Sequence, residues 1–326
     1  MPKFLLLLFF ANLAYAQTQI YFPRVSGKEH ERALFPIENG QFLSGSSHAV
    51  VRLHDINGQV LLSQQLAANL KEIRAIAPTE NGYIAMQSHD SSGIVLLNKS
   101  LQTDTVIYPL GKRTDLFLDG ICAQGNLVFL LGDPIDGFFS TFRSTDFGLH
   151  WEATPAKVMA VTGQAAYAAS GQTCQIVGSQ IYFVSGGTKS ALHYSPNFGA
   201  SWQTFPLPFP SCPTCGPYAL TVLDSLRIVV VGGDYTQPEN NQNTCFYTQD
   251  GGKTWQTPKR SPAGYRSCVY HIGDLIYCCG TNGIERSTNG GKTWKKLYGA
   301  NALSMTFNGY YIYASLANGT LLRFKP

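Results

Sequence analysis

Ser144-Thr-Asp146-Phe-Gly148-Leu-His-Trp151, Ser195-Pro-Asn197-Phe-Gly199-Ala-Ser201-Trp202, Thr248-Gln-Asp250-Gly-Gly252-Lys-Thr254-Trp255 and Ser287-Thr-Asn289-Gly-Gly291-Lys-Thr293-Trp294 align without gaps. Together they hold every tryptophan of the chain. Each reads as the turn of a hairpin: the Ser/Thr hydroxyl and the Asp/Asn side chain accept hydrogen bonds from turn amides, and Gly supplies the positive φ of a tight reversal. Strand-like residues enter the turns, as in Ser140-Thr-Phe-Arg143 and Cys245-Phe-Tyr247, and Trp opens the outgoing strand.

Successive tryptophans lie 51, 53 and 39 residues apart, the size of a four-stranded propeller blade. Hairpins without the motif extend the pattern in both directions. They include Ala49–His54 with Gln59–Leu62 around Asp55-Ile-Asn-Gly58, Gly93–Leu97 before Asn98, and Tyr310–Tyr313 with Leu321–Phe324 around Asn318-Gly319. The expected fold is all-β, a single propeller over residues 17–326. About 310 residues at roughly 44 per blade fit seven blades, with six as the alternative. A strand near Ile20–Val25 is expected to pair with the last blade and close the ring.

Lys3, the apolar run Phe4–Leu13 and Ala14-Tyr-Ala16 before Gln17 have the layout of a cleavable secretory signal over residues 1–16. A secreted or periplasmic protein is expected, with no membrane span after cleavage. In such a compartment the eight cysteines point to disulfides, with Cys212-Pro-Thr-Cys215 as a structural staple in a Pro-rich loop. Asn98-Lys-Ser100 and Asn318-Gly-Thr320 are glycosylation acceptors if the host is eukaryotic. With 24 basic and 20 acidic side chains and no long basic cluster, the chain has no electrostatic footprint for nucleic acid.

The motif S/T-x-D-x-G-x-T-W resembles the Asp-box, or BNR repeat, of sialidases, sortilin-type receptors and photosystem II assembly factors. The resemblance implies that the box sits on blade hairpins away from the central channel. Leu131–Trp294 is similar to secreted bacterial propellers with plant relatives labelled oxidoreductase or photosystem assembly-factor-like. In that group an acid commonly stands where this chain has Gln164. Tyr21-Phe-Pro-Arg24 is similar to the N-terminal arginine motif of sialidases.

Between the boxes lie polar, Gly-rich strings at a common phase: Gly132-Asp133-Pro134-Ile-Asp136-Gly137, Gln164–Gly171, Gly232-Gly233-Asp234-Tyr235 and Gly264-Tyr265-Arg266-Ser267. Equal phase in different blades means equal radius, so Asp133, Asp136, Gln164, Asp234, Tyr235, Tyr265 and Arg266 are expected around one mouth of the channel. No cofactor or metal is expected. There is no dinucleotide fingerprint, no HExxH among the seven histidines and no GxSxG elbow, and the GGKT of two boxes lacks the upstream Gly of a phosphate loop. The expected function is a monomeric scaffold that binds or assembles a protein or glycan ligand. The alternative is a sialidase-like glycoside hydrolase or lyase using Asp133, Asp136 and Asp234.

Overall fold

A computed structural model describes residues 18–20, 29–66, 70–89 and 92–326. The proposed signal segment and Tyr21-Phe-Pro-Arg24 lie outside the described residues. Seven antiparallel sheets follow one another along the chain as the blades of a β-propeller. Counted from the channel outward, blade 1 is Glu31–Pro36, Phe42–Ser46, Val50–His54 and Val60–Gln65. Blade 2 is Ile73–Pro78, Gly82–Gln87, Gly93–Asn98 and Thr103–Ile107. Blade 3 is Leu118–Gln124, Leu127–Ile135, Phe138–Ser144 and Glu152–Ala153. Blade 4 is Cys174–Val177, Gln180–Gly187, Ala191–Ser195 and Gln203–Pro206, with Gln164–Ala165 added beside its second strand.

Blade 5 has three strands, Cys215–Val222, Ile228–Asp234 and Cys245–Thr248. Its outer position is a single bridge between Tyr247 and Gln256, because Pro258 lacks the N–H that would extend the ladder. Blade 6 is Cys268–Ile272, Leu275–Gly280, Gly283–Ser287 and Lys295–Tyr298. Blade 7 is Ala302–Phe307, Ile312–Leu316, Leu321–Phe324 and, from the other end of the chain, Thr18–Ile20. The closing pair is antiparallel, with Thr18 opposite Arg323 and Ile20 opposite Leu321. It starts before the expected Ile20–Val25. Joining the two ends of the chain in one sheet covers the open edge.

The burial of each strand follows its radius. Middle strands are sandwiched between neighbouring blades and bury both faces, which is why Ile228–Asp234 reads as an unbroken apolar run ending in Gly-Gly. The outer strand Val60–Gln65 alternates between half-buried and exposed residues. The core is correspondingly divided among the inter-blade seams. Leu43 and Val51 meet Ile76 and Val95 between blades 1 and 2. Leu34 and Phe42 meet Tyr313 and Leu321 between blades 1 and 7. A fully buried Ile84 or Phe183 contributes about 2–3 kcal/mol through its removal from water.

The four motif copies join the third strand to the outer segment in blades 3 to 6. Their bonding is the same each time. In blade 3 the Gly148 N–H donates to Ser144 Oγ at 2.8 Å and the His150 N–H to Asp146 Oδ1 at 3.0 Å. In blade 5 the equivalent bonds are Gly252 N–H to Thr248 Oγ1 at 3.1 Å and Thr254 N–H to Asp250 Oδ1 at 2.9 Å. The Thr254 hydroxyl and amide hold the Asp250 carboxyl down at about 2.

The boxes also brace neighbouring blades. Gly148 has φ +85° and a Cβ there would collide with Ile84 Cδ1 of blade 2; Gly252 has φ +94° and its Cβ would stand 2.8 Å from Leu192 Cδ2 of blade 4. Gly199 and Gly291 face Thr154 and Val229 of their preceding blades in the same way. Glycine is therefore required twice over, by backbone sign and by close approach.

Candidate functional site at one mouth of the channel

The string Gln164–Gly171 does not stay at the edge of blade 4. After Ala165 it crosses the axis before entering Cys174–Val177. Ala168 O accepts from Arg74 Nη1 of blade 2 at 2.6 Å, and the Ser170 hydroxyl donates to Ser267 O of blade 6 at 2.7 Å. Ser170 O faces Ser304 Oγ of blade 7 at 3.4 Å, and Gln172 O accepts from Leu220 N–H of blade 5 at 3.0 Å. Small side chains make the crossing feasible: a Cβ on Gly171 would already stand 3.1 Å from Ala75 Cβ. The segment plugs the channel and forms the floor of a cavity of about 650 Å³ at one mouth.

A common device aims side chains into that cavity. On the innermost strands the register slips by one residue, from Glu31/Ser46 to Ala33/Gly45, from Ile73/Gln87 to Ala75/Met86 and from Leu118/Gly132 to Gly120/Leu131. It slips again from Pro217/Gly232 to Ala219/Val231 and from Ala302/Leu316 to Ser304/Ser315. Each slip is a β-bulge, which breaks the two-residue alternation and turns the extra side chain. The extra residues are Arg32, Arg74, Asp119, Tyr218 and Leu303, and all five line the cavity.

The charges at the mouth are paired incompletely. Glu72 lies between the two guanidiniums, 2.7 Å from Arg74 Nη2 and 3.5 Å from Arg32 Nε. Arg74 is further tied to the plug through Ala168, whereas the ion pair with Glu72 is the one Arg32 makes among the described residues. On the next blade, Asp119 is 1 % exposed and its Oδ2 has no hydrogen-bond partner among the described residues. Burial, and next the charge of Asp133, push the Asp119 carboxyl well above the usual range. Burial raises Asp133 to about 6, although the Ala166 N–H donates to its Oδ1 at 3.1 Å. The two carboxyls thus share one desolvated site, and the charge of Asp133 disfavours ionisation of Asp119.

Four tyrosines build the opposite wall. Tyr167 and Tyr218 stack at 4.2 Å with an interplanar angle of 7°, and Tyr265 meets Tyr218 edge-on at 4.8 Å. Tyr235, 54 % exposed, completes the group with edge contacts to both Tyr218 and Tyr265. Burial pushes the Tyr167 hydroxyl up to about 12 and those of Tyr218 and Tyr265 upward as well, and the hydroxyls of Tyr167 and Tyr218 are donors to backbone carbonyls.

Of the residues expected at the mouth, Asp133, Tyr235 and Tyr265 line the cavity. The other four lie elsewhere. Asp136 is exposed at the tip of the hairpin between Leu127–Ile135 and Phe138–Ser144, with φ 52°. Gln164 is buried, donating to Ser185 Oγ at 2.7 Å and accepting from Val161 N–H at 3.1 Å. Asp234 accepts from Thr214 Oγ1 at 2.8 Å and Thr236 N–H at 2.9 Å within its turn. Arg266 is fully buried against Glu285 and Asn282, each at 2.7 Å. The strings do not share one phase: Asp133 and Asp234 stand at the ends of second strands, whereas Gln164–Gly171 and Gly264–Ser267 lead into first strands. What they share is the rim of the blades, and the inward aim belongs to the bulges.

Arg32, Arg74, Asp119 and Tyr218 escaped the sequence reading. Their signal is a small residue immediately after the bulge and before the apolar run: Arg32-Ala33-Leu34, Arg74-Ala75-Ile76, Asp119-Gly120-Ile121 and Tyr218-Ala219-Leu220. The small residue suits the crowded axis, and the residue before it is free to turn inward. Cys212, Cys215 and Asp234 bring two sulfurs and a carboxylate oxygen within 4.8 Å of one another. The sulfurs are joined as a disulfide and the carboxylate is used by its turn, so these atoms are not arranged as a metal site.

Comparisons with known proteins agree with this architecture. Residues 246–257, spanning the third box, match the BNR/Asp-box repeat. No curated protein matches the chain in sequence. Among solved structures, a catalytically inactive virginiamycin B lyase from Staphylococcus aureus with quinupristin is 11% identical and superposes with a TM-score of 0.69 over 96% of this chain and 99% of that one. YCF48 from Cyanidioschyzon merolae is 12% identical, with a TM-score of 0.64 over 95% of this chain and 99% of that one. The Pan2 WD40 domain of Neurospora crassa is 10% identical, with a TM-score of 0.67 over 96% of each chain. At such identities the shared property is the fold. The chain is a seven-bladed β-propeller that carries BNR/Asp-box repeats.

Proposed function

We propose that this propeller is an exported binding scaffold that takes an acidic glycan or an acidic segment of a protein at the plugged mouth of its channel. The observation that carries the reading is the convergence of five bulge residues, from five blades, on one cavity. A bulge costs ladder hydrogen bonds and re-aims a side chain, and here it re-aims one side chain in each of five blades into the same space. Arg32 offers a guanidinium to an anionic group, the tyrosine wall offers ring faces to a pyranose or apolar body, and Asp119 Oδ2 offers an open polar atom to a ligand hydroxyl. Export rests on the N-terminal segment Lys3–Ala16.

The test is an array of acidic and neutral glycans and peptides, read with wild type, Arg32→Ala and Tyr235→Ala. Binding to acidic members that falls at least about tenfold in both variants supports the reading. Equal binding by all three proteins, or no binding to any member, overturns it. A hydrolase or lyase is kept as a second reading because Asp119 and Asp133 line one cavity and burial, with the neighbouring charge, raises Asp119 well above the usual carboxylate range. Asp136 and Asp234 are outside the cavity and have no part in it. Turnover of chromogenic glycosides that is lost in Asp133→Asn would favour this second reading over a scaffold.

A further inference from the structure

Cys212 and Cys215 close a small ring directly behind the tyrosine wall. Cys215 begins the innermost strand of blade 5 and is buried, whereas Cys212 is half-buried and Pro213 exposed at the rim. The carbonyls of this ring hold the wall. Tyr167 donates its hydroxyl to Pro213 O at 3.1 Å and Cys215 O at 3.2 Å, and Tyr218 donates to Thr214 O at 2.8 Å. Thr214 Oγ1 in turn donates to Asp234 Oδ1 at 2.8 Å, next to Tyr235. Two of the four wall tyrosines are therefore hydrogen-bonded to the disulfide segment, and a third, Tyr235, follows in sequence the Asp234 side chain that Thr214 holds.

We propose that the Cys212–Cys215 bond is a reversible modification site, reduced by an external dithiol, and that its reduction loosens the tyrosine wall and the channel plug. An incoming thiolate attacks the more accessible Cys212 Sγ, forming a mixed disulfide and releasing Cys215 as the leaving thiolate. The second thiol of the reagent then attacks its own sulfur in that mixed disulfide, forming the cyclic disulfide of the reagent and releasing Cys212. Two electrons pass from the dithiol to the protein, and the two protons of the dithiol end on Cys212 and Cys215. The opened ring regains backbone freedom, and carbonyls that were fixed acceptors for Tyr167 and Tyr218 become movable. The plug is affected because Tyr167 is its first large side chain. The cavity's role as a ligand site is taken from the proposed function, but both the reaction and the loosening are measured without ligand.

The test uses the full chain, with dithiothreitol as the dithiol and iodoacetamide to count thiols. Under native conditions reduction is expected to add two alkyl groups, on Cys212 and Cys215, to the count for the unreduced protein, in which half-buried Cys122 is free to react while Cys174, Cys245, Cys268, Cys278 and Cys279 are buried. Amide exchange at Ala166, Ala169, Cys215, Gly216 and Tyr218 is expected to rise at least about tenfold on reduction, with the amides of Ile73–Gln87 unchanged. Cys212→Ser/Cys215→Ser is expected to reproduce the raised exchange without reagent. Tyr167→Phe/Tyr218→Phe, which keeps the rings and the disulfide, is expected to start high and respond no further. Reduction that leaves exchange at Ala166 and Ala169 unchanged overturns the inference, as does a bond that resists dithiol until the protein unfolds. Absence of any array ligand would count against the proposed function and leave this result standing.

Discussion

Replacing Asp133 by Asn is expected to stabilise the protein at neutral and alkaline pH, although the residue lines the candidate site. Burial holds the Asp133 carboxyl at about 6 in the folded chain, against about 3.9 in an unfolded one. An acid raised in this way favours the fold while it is protonated, and the benefit disappears as the pH climbs from about 4 through 6. About two pKa units correspond to roughly 3 kcal/mol lost at pH 8 relative to pH 4. Asn keeps an oxygen for the Ala166 N–H and cannot ionise. It also removes the charge that helps raise the Asp119 carboxyl. Urea unfolding of both proteins at pH 4, 6 and 8 is expected to give a difference near zero at pH 4, growing to about 2–3 kcal/mol in favour of the variant at pH 8. The difference is the quantity to read, because His54 and His193 change the stability of both proteins alike in acid. An Asn variant equal to or weaker than wild type at pH 8 would refute the desolvated-carboxyl reasoning.

Other parts of the fold give predictions of the same kind. Gly148→Ala puts a Cβ on a residue at φ +85° that faces Ile84; a loss of about 2–3 kcal/mol in urea is expected, and a change under about 0.5 would show that the box does not brace blade 2. Burial pushes His193 down to about 3, between Ser185 Oγ and Thr204 Oγ1. A base lowered in this way loses its stabilising effect as pH falls below about 6.5, so His193→Gln is expected to remove about 3 kcal/mol of the acid dependence between pH 6.5 and 4; an unchanged acid limb would contradict this. Arg266→Met leaves Glu285 buried without its cation and is expected to cost about 3–5 kcal/mol, most of it recovered in Arg266→Met/Glu285→Leu. Failure of the double variant to recover would place the cost elsewhere.

The propeller was legible because its turns are built from side chains that must stand at fixed spacing. Ser144, Asp146 and Gly148 each carry one bond or one backbone angle, and the same triplet recurs in four blades. The first two blades lack it, yet strands such as Val50–His54 around Asp55-Ile-Asn-Gly58 still declare their hairpins. The site was only partly legible. Asp133 and Tyr265 lie in Gly-rich strings that are visible in the sequence, but such a string marks the rim of a blade without fixing where a side chain points. Arg266 and Asp234 lie in strings of the same kind, yet one is buried against Glu285 and Asn282 and the other is used by its own turn. Arg32, Arg74 and Asp119 are polar residues near the start of mostly apolar strands, and what aims them is a register slip that depends on the partner strand. The plug was visible as a string of small residues, Ala165–Gly171, but its course across the axis depends on contacts with four other blades that no local pattern encodes.

The central claim is that bulges from five blades compose one binding cavity, and it is tested most directly by the affinity of an acidic array ligand for wild type, Arg32→Ala and Asp136→Asn. Arg32 faces the cavity, whereas Asp136 is exposed at a hairpin tip whose φ of 52° Asn tolerates. A loss of at least about tenfold in Arg32→Ala, with Asp136→Asn matching wild type, is the expected result. Undiminished affinity in Arg32→Ala, or an equal loss in Asp136→Asn, would contradict the account.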